Sequence, residues 1–96
     1  MTRRTSTEAR RLAEAALEHS RLQDGVERAI LGDPIEAGDF WVFFSQSRAY
    51  VERDDLDAML AGNAPLVVPK DGGEVFALSP AHDIDAQIAD LRRGRP

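Results

Sequence analysis

Few side chains in this sequence have a type and spacing that could do chemistry. His19 and His82 are the only imidazoles, and Ser20 and Ser79 lie near them in sequence. A nucleophilic triad needs a base oriented on its nucleophile, and sequence adjacency supplies no such orientation. His19 falls near the end of a predicted helix and His82 in a loop before another, where histidines are commonly exposed to solvent. The chain has no cysteine, so disulfides and thiolate metal sites are absent. Asp54, Asp55 and Asp57 miss the alternating ligands and the glycine of a calcium loop, and read as a charged turn. Gly72-Gly73 has no P-loop or G-x-G-x-x-G pattern around it, and a hairpin explains both glycines. Trp41 and its phenylalanine neighbours could line a pocket, but with aromatics at 6% they read as core. No catalytic residue, cofactor site or metal ligand is assigned, and the expectation is a protein that is not an enzyme.

The 96 residues suit one domain spanning 1–96, with 43% hydrophobic and 30% charged residues, a globular balance. No apolar run approaches the roughly 20 residues of a membrane span. The opening MTRRTSTEARR lacks the apolar core of a secretory leader, so a cytoplasmic protein without membrane partners is expected. Charge is uneven. Residues 24–91 carry 14 acidic and 4 basic side chains, net −10, whereas the flanks carry eight arginines and three glutamates, net +5. An acidic middle repels phosphate and favours a basic partner, or simply keeps the surface soluble. Arg3, Arg4, Arg10 and Arg11 lack interleaved aromatics, so nucleic acid is not an expected partner.

The elements that must position any site follow from periodicity and caps. Thr5-Ser6-Thr7-Glu8 forms a capping box, and Ala9, Leu12, Ala13, Ala16 and Leu17 recur at helical spacing, which predicts a helix over 5–20. Asp24-Gly25 ends that segment. Residues 26–31 suit a strand, and GDPIEAGD is expected to be a turn-rich connection. FWVFFSQ over 40–46 is the strongest strand, and its five-residue apolar run implies burial on both faces. Residues 48–61 could extend the strand or form one or two helical turns. Leu66–Val68 and Glu74–Leu78 flank Asp71-Gly72, which predicts a hairpin with a tight turn, with Pro69 at an edge or beside it. Asp83 is the expected N-cap of a last helix carrying Ile84, Ile88 and Leu91 on one face. The fold class is α+β. A three- to four-stranded antiparallel sheet carries an N-terminal and a C-terminal helix, which are expected on one face. Leu12, Leu17, Trp41, Phe43, Val67, Phe76, Ile84 and Ile88 are the expected core.

FWVFFSQSRAYVERDDLDAMLAGNAPLVVPKDGGEVFAL resembles the YrhB-like domain, also called the immunity protein 35 domain. Trp41–Phe44 and Ser47–Tyr50 match its aromatic strand, Leu60–Val68 its L-A-G-N-x-P segment, and Lys70–Val75 its K-x-G-x turn. The likeness covers about 40–91. Ser79-Pro80-Ala81 stands where Gly-Thr-Ala is usual, and Gln87 where an aromatic often sits, both of which bear on how the final helix docks.

The resemblance implies a non-enzymatic protein that binds and neutralises a cognate bacterial toxin by covering its surface. A chaperone-like or general interaction module is the alternative, supported by a strand such as Phe40–Phe44 if it offers an edge. The expected protein partner meets a monomer or weak homodimer. Its candidate surface is Glu52, Asp54, Asp55 and Asp57, joined by Asp83, Asp85 and Asp90 on the outer face of the last helix. The same acids could equally serve only solubility. Reversing Asp54 and Asp55 to Lys is expected to slow association with a basic toxin while leaving the melting temperature nearly unchanged.

Overall fold

A computed structural model describes residues 3–60 and 64–94. The Ala61-Gly62-Asn63 part of the family-like segment lies outside the described residues. Along the chain run α1 (Ser6–Asp24), β1 (Arg28–Ala37), β2 (Phe40–Ser47), α2 (Arg48–Arg53), a 3-10 turn (Leu56–Ala58), β3 (Leu66–Pro69), β4 (Phe76–Ala77) and α3 (Ile84–Arg92). The four strands form one antiparallel sheet in the order β1-β2-β3-β4, an α+β arrangement.

Local chemistry starts and stops α1 as the sequence predicts. The Thr5 hydroxyl accepts from the Glu8 N–H at 3.2 Å, and the Glu8 carboxylate accepts from the Thr5 N–H at 3.0 Å. Two of the free donors at the helix start are thereby satisfied. Gly25 ends the helix in the left-handed region at φ 73°, its N–H donating to the Arg21 carbonyl. Ala9, Ala13 and Leu17 bury one narrow face against Ile30, Phe43 and Val68 of the sheet. Alanines there let the helix axis come close to the strands.

The helices lie on opposite faces of the sheet, which corrects the expectation of one covered face. In β2, Val42 and Phe43 are both fully buried, and neighbouring side chains of a strand point to opposite faces. Phe43 and Val68 pack under α1, whereas Val42, Val67 and Ala37 pack under Ile88 and Leu91 of α3. Both layers are needed because the apolar run of β2 has no wet side. Of the expected core, Leu17, Phe43, Val67 and Ile88 are buried, and Leu12, Trp41 and Ile84 pack partly buried against them. Phe76 is the exception. It stays 37% exposed on the two-residue edge strand β4 and meets Phe40 edge-on at 6.2 Å.

Two turns depart from the sequence reading. Of GDPIEAGD, expected to turn at Pro34 and Gly38, residues 32–37 are strand rather than connection, since β1 continues to Ala37, and only Gly38-Asp39 is turn. Pairing runs from Leu31↔Phe44 to Ile35↔Val42, so the extra residues of Gly32-Asp33-Pro34 are absorbed in a bulge. An edge strand tolerates that bulge, and Pro34 needs no ladder donor there. The tight hairpin is Gly38-Asp39, with Ala37 opposite Phe40 and Gly38 at φ 58°. A Cβ on Gly38 would lie 3.2 Å from the Leu91 carbonyl oxygen, so this turn also seats the end of α3. Between β3 and β4 the chain makes a wider loop instead, and Glu74 and Val75 lie outside β4. The Arg4 guanidinium spans that loop by donating to the carbonyls of Pro69 at 3.0 Å and Gly73 at 2.7 Å.

Candidate interaction surface

Residues 46–60 form the part of the chain where structure and charge combine most clearly. Ser47, the last residue of β2, turns the chain into α2 by accepting from the Tyr50 N–H at 3.1 Å. Arg48 and Glu52 pair one helical turn apart at 3.0 Å, and Arg48 also reaches Glu27 at 3.3 Å. Asp54 ends α2 at φ 54°, a left-handed conformation that aspartate tolerates better than most residues. Asp55 then caps the 3-10 turn by accepting from the Asp57 N–H at 3.2 Å. The Gln46 amide closes the segment from the sheet. Its Nε2 donates to the Leu60 carbonyl at 2.9 Å, and its Oε1 accepts from the Leu60 N–H at 2.8 Å.

The seven acids singled out in the sequence thus have different local roles. Asp54, Asp55 and Asp83 end or cap helical turns, with Asp83 accepting from the Ala86 N–H. Glu52 pairs with Arg48, and Asp90 pairs with Arg93. Asp57 and Asp85 have no side-chain partner among the described residues. Because β4 runs parallel to β2, the chain leaves both strands at the same end of the sheet. Asp83 and Asp85 therefore start α3 at the end where α2 begins, while α3 carries Asp90 toward the Gly38 turn. Asp85 and Asp90 also lie about 140° apart around the helix and share no outer face.

A groove of about 510 Å³ opens between the start of β1, α2 and the 3-10 turn. Val26, Ala49, Ala58, Met59 and Leu60 give it an apolar lining, and Glu27, Glu52 and Asp57 stand among them with Arg48 and Arg53. Leu56, next in sequence to the lining residue Asp57, is 72% exposed, and Met59 is 55% exposed. A larger cleft of about 720 Å³ between α1 and β1 is mainly charged. Its arginines are engaged, Arg21 with Glu18 at 2.6 Å, Arg28 with Asp24 at 2.7 Å and Arg10 with the Gly32 carbonyl at 3.2 Å. The Arg21 hydrogen bond holds the Glu18 carboxyl below its ordinary range. Hydrogen bonds from Arg28 and then from the Val26 N–H do the same for Asp24.

No hydrogen bond joins the His19 or His82 ring to the Ser20 or Ser79 hydroxyl. Both histidines are exposed, the Ser20 hydroxyl donates to the Ala16 carbonyl, and the Ser79 hydroxyl accepts from the Ala81 N–H. Among the described residues no three His, Cys, Asp or Glu side chains converge to hold a metal ion. No described helix is long and apolar enough to cross a membrane. One corner escaped the sequence reading. Lys70, only 8% exposed, lies 4.6 Å from the Trp41 ring centroid and pairs with Glu36, while the Trp41 indole N–H donates to the Arg4 carbonyl at 3.1 Å. These contacts give a buried ammonium the partners it needs and tie the chain start to the sheet.

Gln87, which departs from the family pattern, clamps the other departure. Its Nε2 donates to the Ser79 carbonyl at 2.8 Å and its Oε1 accepts from the Ser79 N–H at 2.9 Å. The docking of α3 itself rests on Ile88 and Leu91. YrhB of Escherichia coli strain K12 is 38% identical over 50 residues, which cover 52% of this chain and 53% of that protein. The chain thus aligns with about half the length of this relative, and no solved structure matches. The family described as immunity protein 35 matches residues 7–87, from the first turn of α1 to the Gln87 clamp in α3, and the chain belongs to that family.

Proposed function

We propose that this chain is an immunity protein that neutralises a cognate bacterial toxin by binding and covering its surface, with no covalent bond made or broken. The carrying observation is the family match over residues 7–87. In support, the described histidines and serines form no nucleophile–base pair, and an acidic segment follows β2. In this reading the protein acts in the cytoplasm as a monomer or weak homodimer, and its partner is a protein rather than a nucleic acid. The test is co-expression with a toxin domain encoded beside this gene. Restored growth and a stable complex between the two purified proteins are expected. A neighbourhood without toxin domains, or a neighbouring toxin that neither binds nor is neutralised, would overturn the reading.

A chaperone-like role loses one support, because Phe40–Phe44 lies in the interior strand β2 and offers no edge. It keeps another in the short edge strand β4 with Phe76 exposed. Suppressed aggregation of unrelated client proteins would favour it over immunity.

A further inference from the structure

We propose that the groove between α2, the 3-10 turn and the start of β1 receives the partner. The occupant we infer is a protein segment carrying a large apolar side chain between lysines or arginines. This inference rests on the immunity reading and assigns it a place. The lining explains the apolar half of that ligand. Val26, Ala49, Ala58 and Leu60 form a surface that a single side chain can dehydrate. Met59, more than half exposed beside them, can repack around an incoming group because its side chain is unbranched and polarizable.

Charge selects the other half. Glu27, Glu52 and Asp57 stand at the groove, with Asp54 and Asp55 just outside, against Arg48 and Arg53. Arg48 is shared between Glu27 and Glu52, the lining carries a net charge of −1, and Asp54 and Asp55 next in sequence bring it to −3, so the net field over the opening is negative. Such a field attracts cations and repels nucleic acid. The basic N-terminal stretch of a second copy is a poor donor of that segment. Arg3 and Arg4 are held by Asp39, Pro69 and Gly73, and Arg10 by Gly32. The groove is also held in shape beforehand, by Gln46 on Leu60 and by Ser47 capping α2, which lowers the ordering cost of binding.

The test selects a displayed library of short random peptides against the full chain. The winning peptide is then followed by amide shifts and by titration of Asp57→Lys and Met59→Glu, both exposed positions, with Leu22→Glu on α1 as control. The expected consensus places a bulky apolar residue between Lys or Arg. Shifts should centre on residues 26, 49 and 58–60, each groove variant should weaken binding about tenfold or more, and Leu22→Glu should not. Peptides without basic residues, shifts that map to the β4 edge, or unchanged binding by both groove variants would each overturn the proposal. The two readings fail separately. A toxin still neutralised by the Asp57→Lys, Met59→Glu double variant sinks the groove and keeps immunity, whereas peptide docking without any toxin neutralisation keeps the groove and sinks immunity.

Discussion

Replacing Gln46 with Ala should free the segment after α2 while leaving the sheet standing. The Gln46 amide makes two hydrogen bonds to Leu60 and a third contact from its own strand, where Oε1 accepts from the Ser47 N–H at 3.2 Å. Only the first two hold the segment. Each hydrogen bond contributes about 1 kcal/mol net, so closing the segment loses about 2 kcal/mol. That corresponds to roughly a thirtyfold rise in the open population. Neither α2 nor the 3-10 turn contains a buried residue, so little core accompanies the opening. The change should therefore remain local.

Native-state hydrogen exchange reads this directly. The Leu60 amide should exchange roughly thirty times faster in Gln46→Ala, while amides of Val42 and Val67 keep their protection. Gln46→Glu is the informative companion. It retains the acceptor for the Leu60 N–H but has no N–H to donate to the Leu60 carbonyl, so at neutral pH its exchange should be faster than wild type too. Unchanged Leu60 exchange in Gln46→Ala would refute the clamp. Equal acceleration across the sheet would refute the locality of the segment.

Three further outcomes are expected. Phe43→Ala should cost about 3–5 kcal/mol, measured by urea denaturation, because Phe43 is fully buried under α1. Gly38→Ala should cost at least about 1 kcal/mol from the left-handed conformation alone, with a further loss as its Cβ crowds the Leu91 and Arg92 carbonyls. Melting curves and α3 amide exchange should show both effects. On acidification α1 should weaken. Glu8 is held below its ordinary range by the Thr5 N–H and then the Thr5 hydroxyl, and Asp24 by Arg28 and then Val26. A depressed carboxyl pKa stabilises fully above the unfolded value and loses that contribution as pH falls through the folded one. Helicity measured from pH 6 down to about 2 should therefore drop more in wild type than in Glu8→Gln, and equal curves would contradict this.

Local signals in the sequence located the elements whose causes are local. Thr5 and Glu8 announce α1, the Ala9–Ala13–Leu17 spacing identifies its buried face, and Asp83 starts α3. Where a distant partner decides, local signals mislead. Gly32-Asp33-Pro34 carries every mark of a loop, yet β2 holds its register on both sides and the edge takes up the surplus as a bulge. Asp71-Gly72 suits a tight turn by composition, but the tight turn is Gly38-Asp39, fixed by the Ala37↔Phe40 pairing. The two-sided burial of Trp41–Phe44 already implied a helix on each face. Placing both helices on one face conflicted with that run, and the run was right. Gln46 left no trace of its role, since a clamp spanning 14 residues produces no periodicity.

The acidic segment was visible as charge, but charge alone does not say which acids are free to act on a partner. Asp54 sits in the left-handed region, where Lys costs about 1–2 kcal/mol. Asp55 is an N-cap whose loss costs about 1 kcal/mol. Reversing both should lower the melting temperature, contrary to the expectation from sequence that it would hardly move. Slower association by that double variant would then have two causes, lost attraction and a distorted turn. Asp57 separates them. Its backbone N–H serves the Asp55 cap and survives substitution, while its carboxylate has no side-chain partner among the described residues. If electrostatic attraction brings a basic segment to this surface, Asp57→Lys alone should slow association and flatten its salt dependence at unchanged stability. If the acids serve only helix ends and solubility, the same change should leave association untouched.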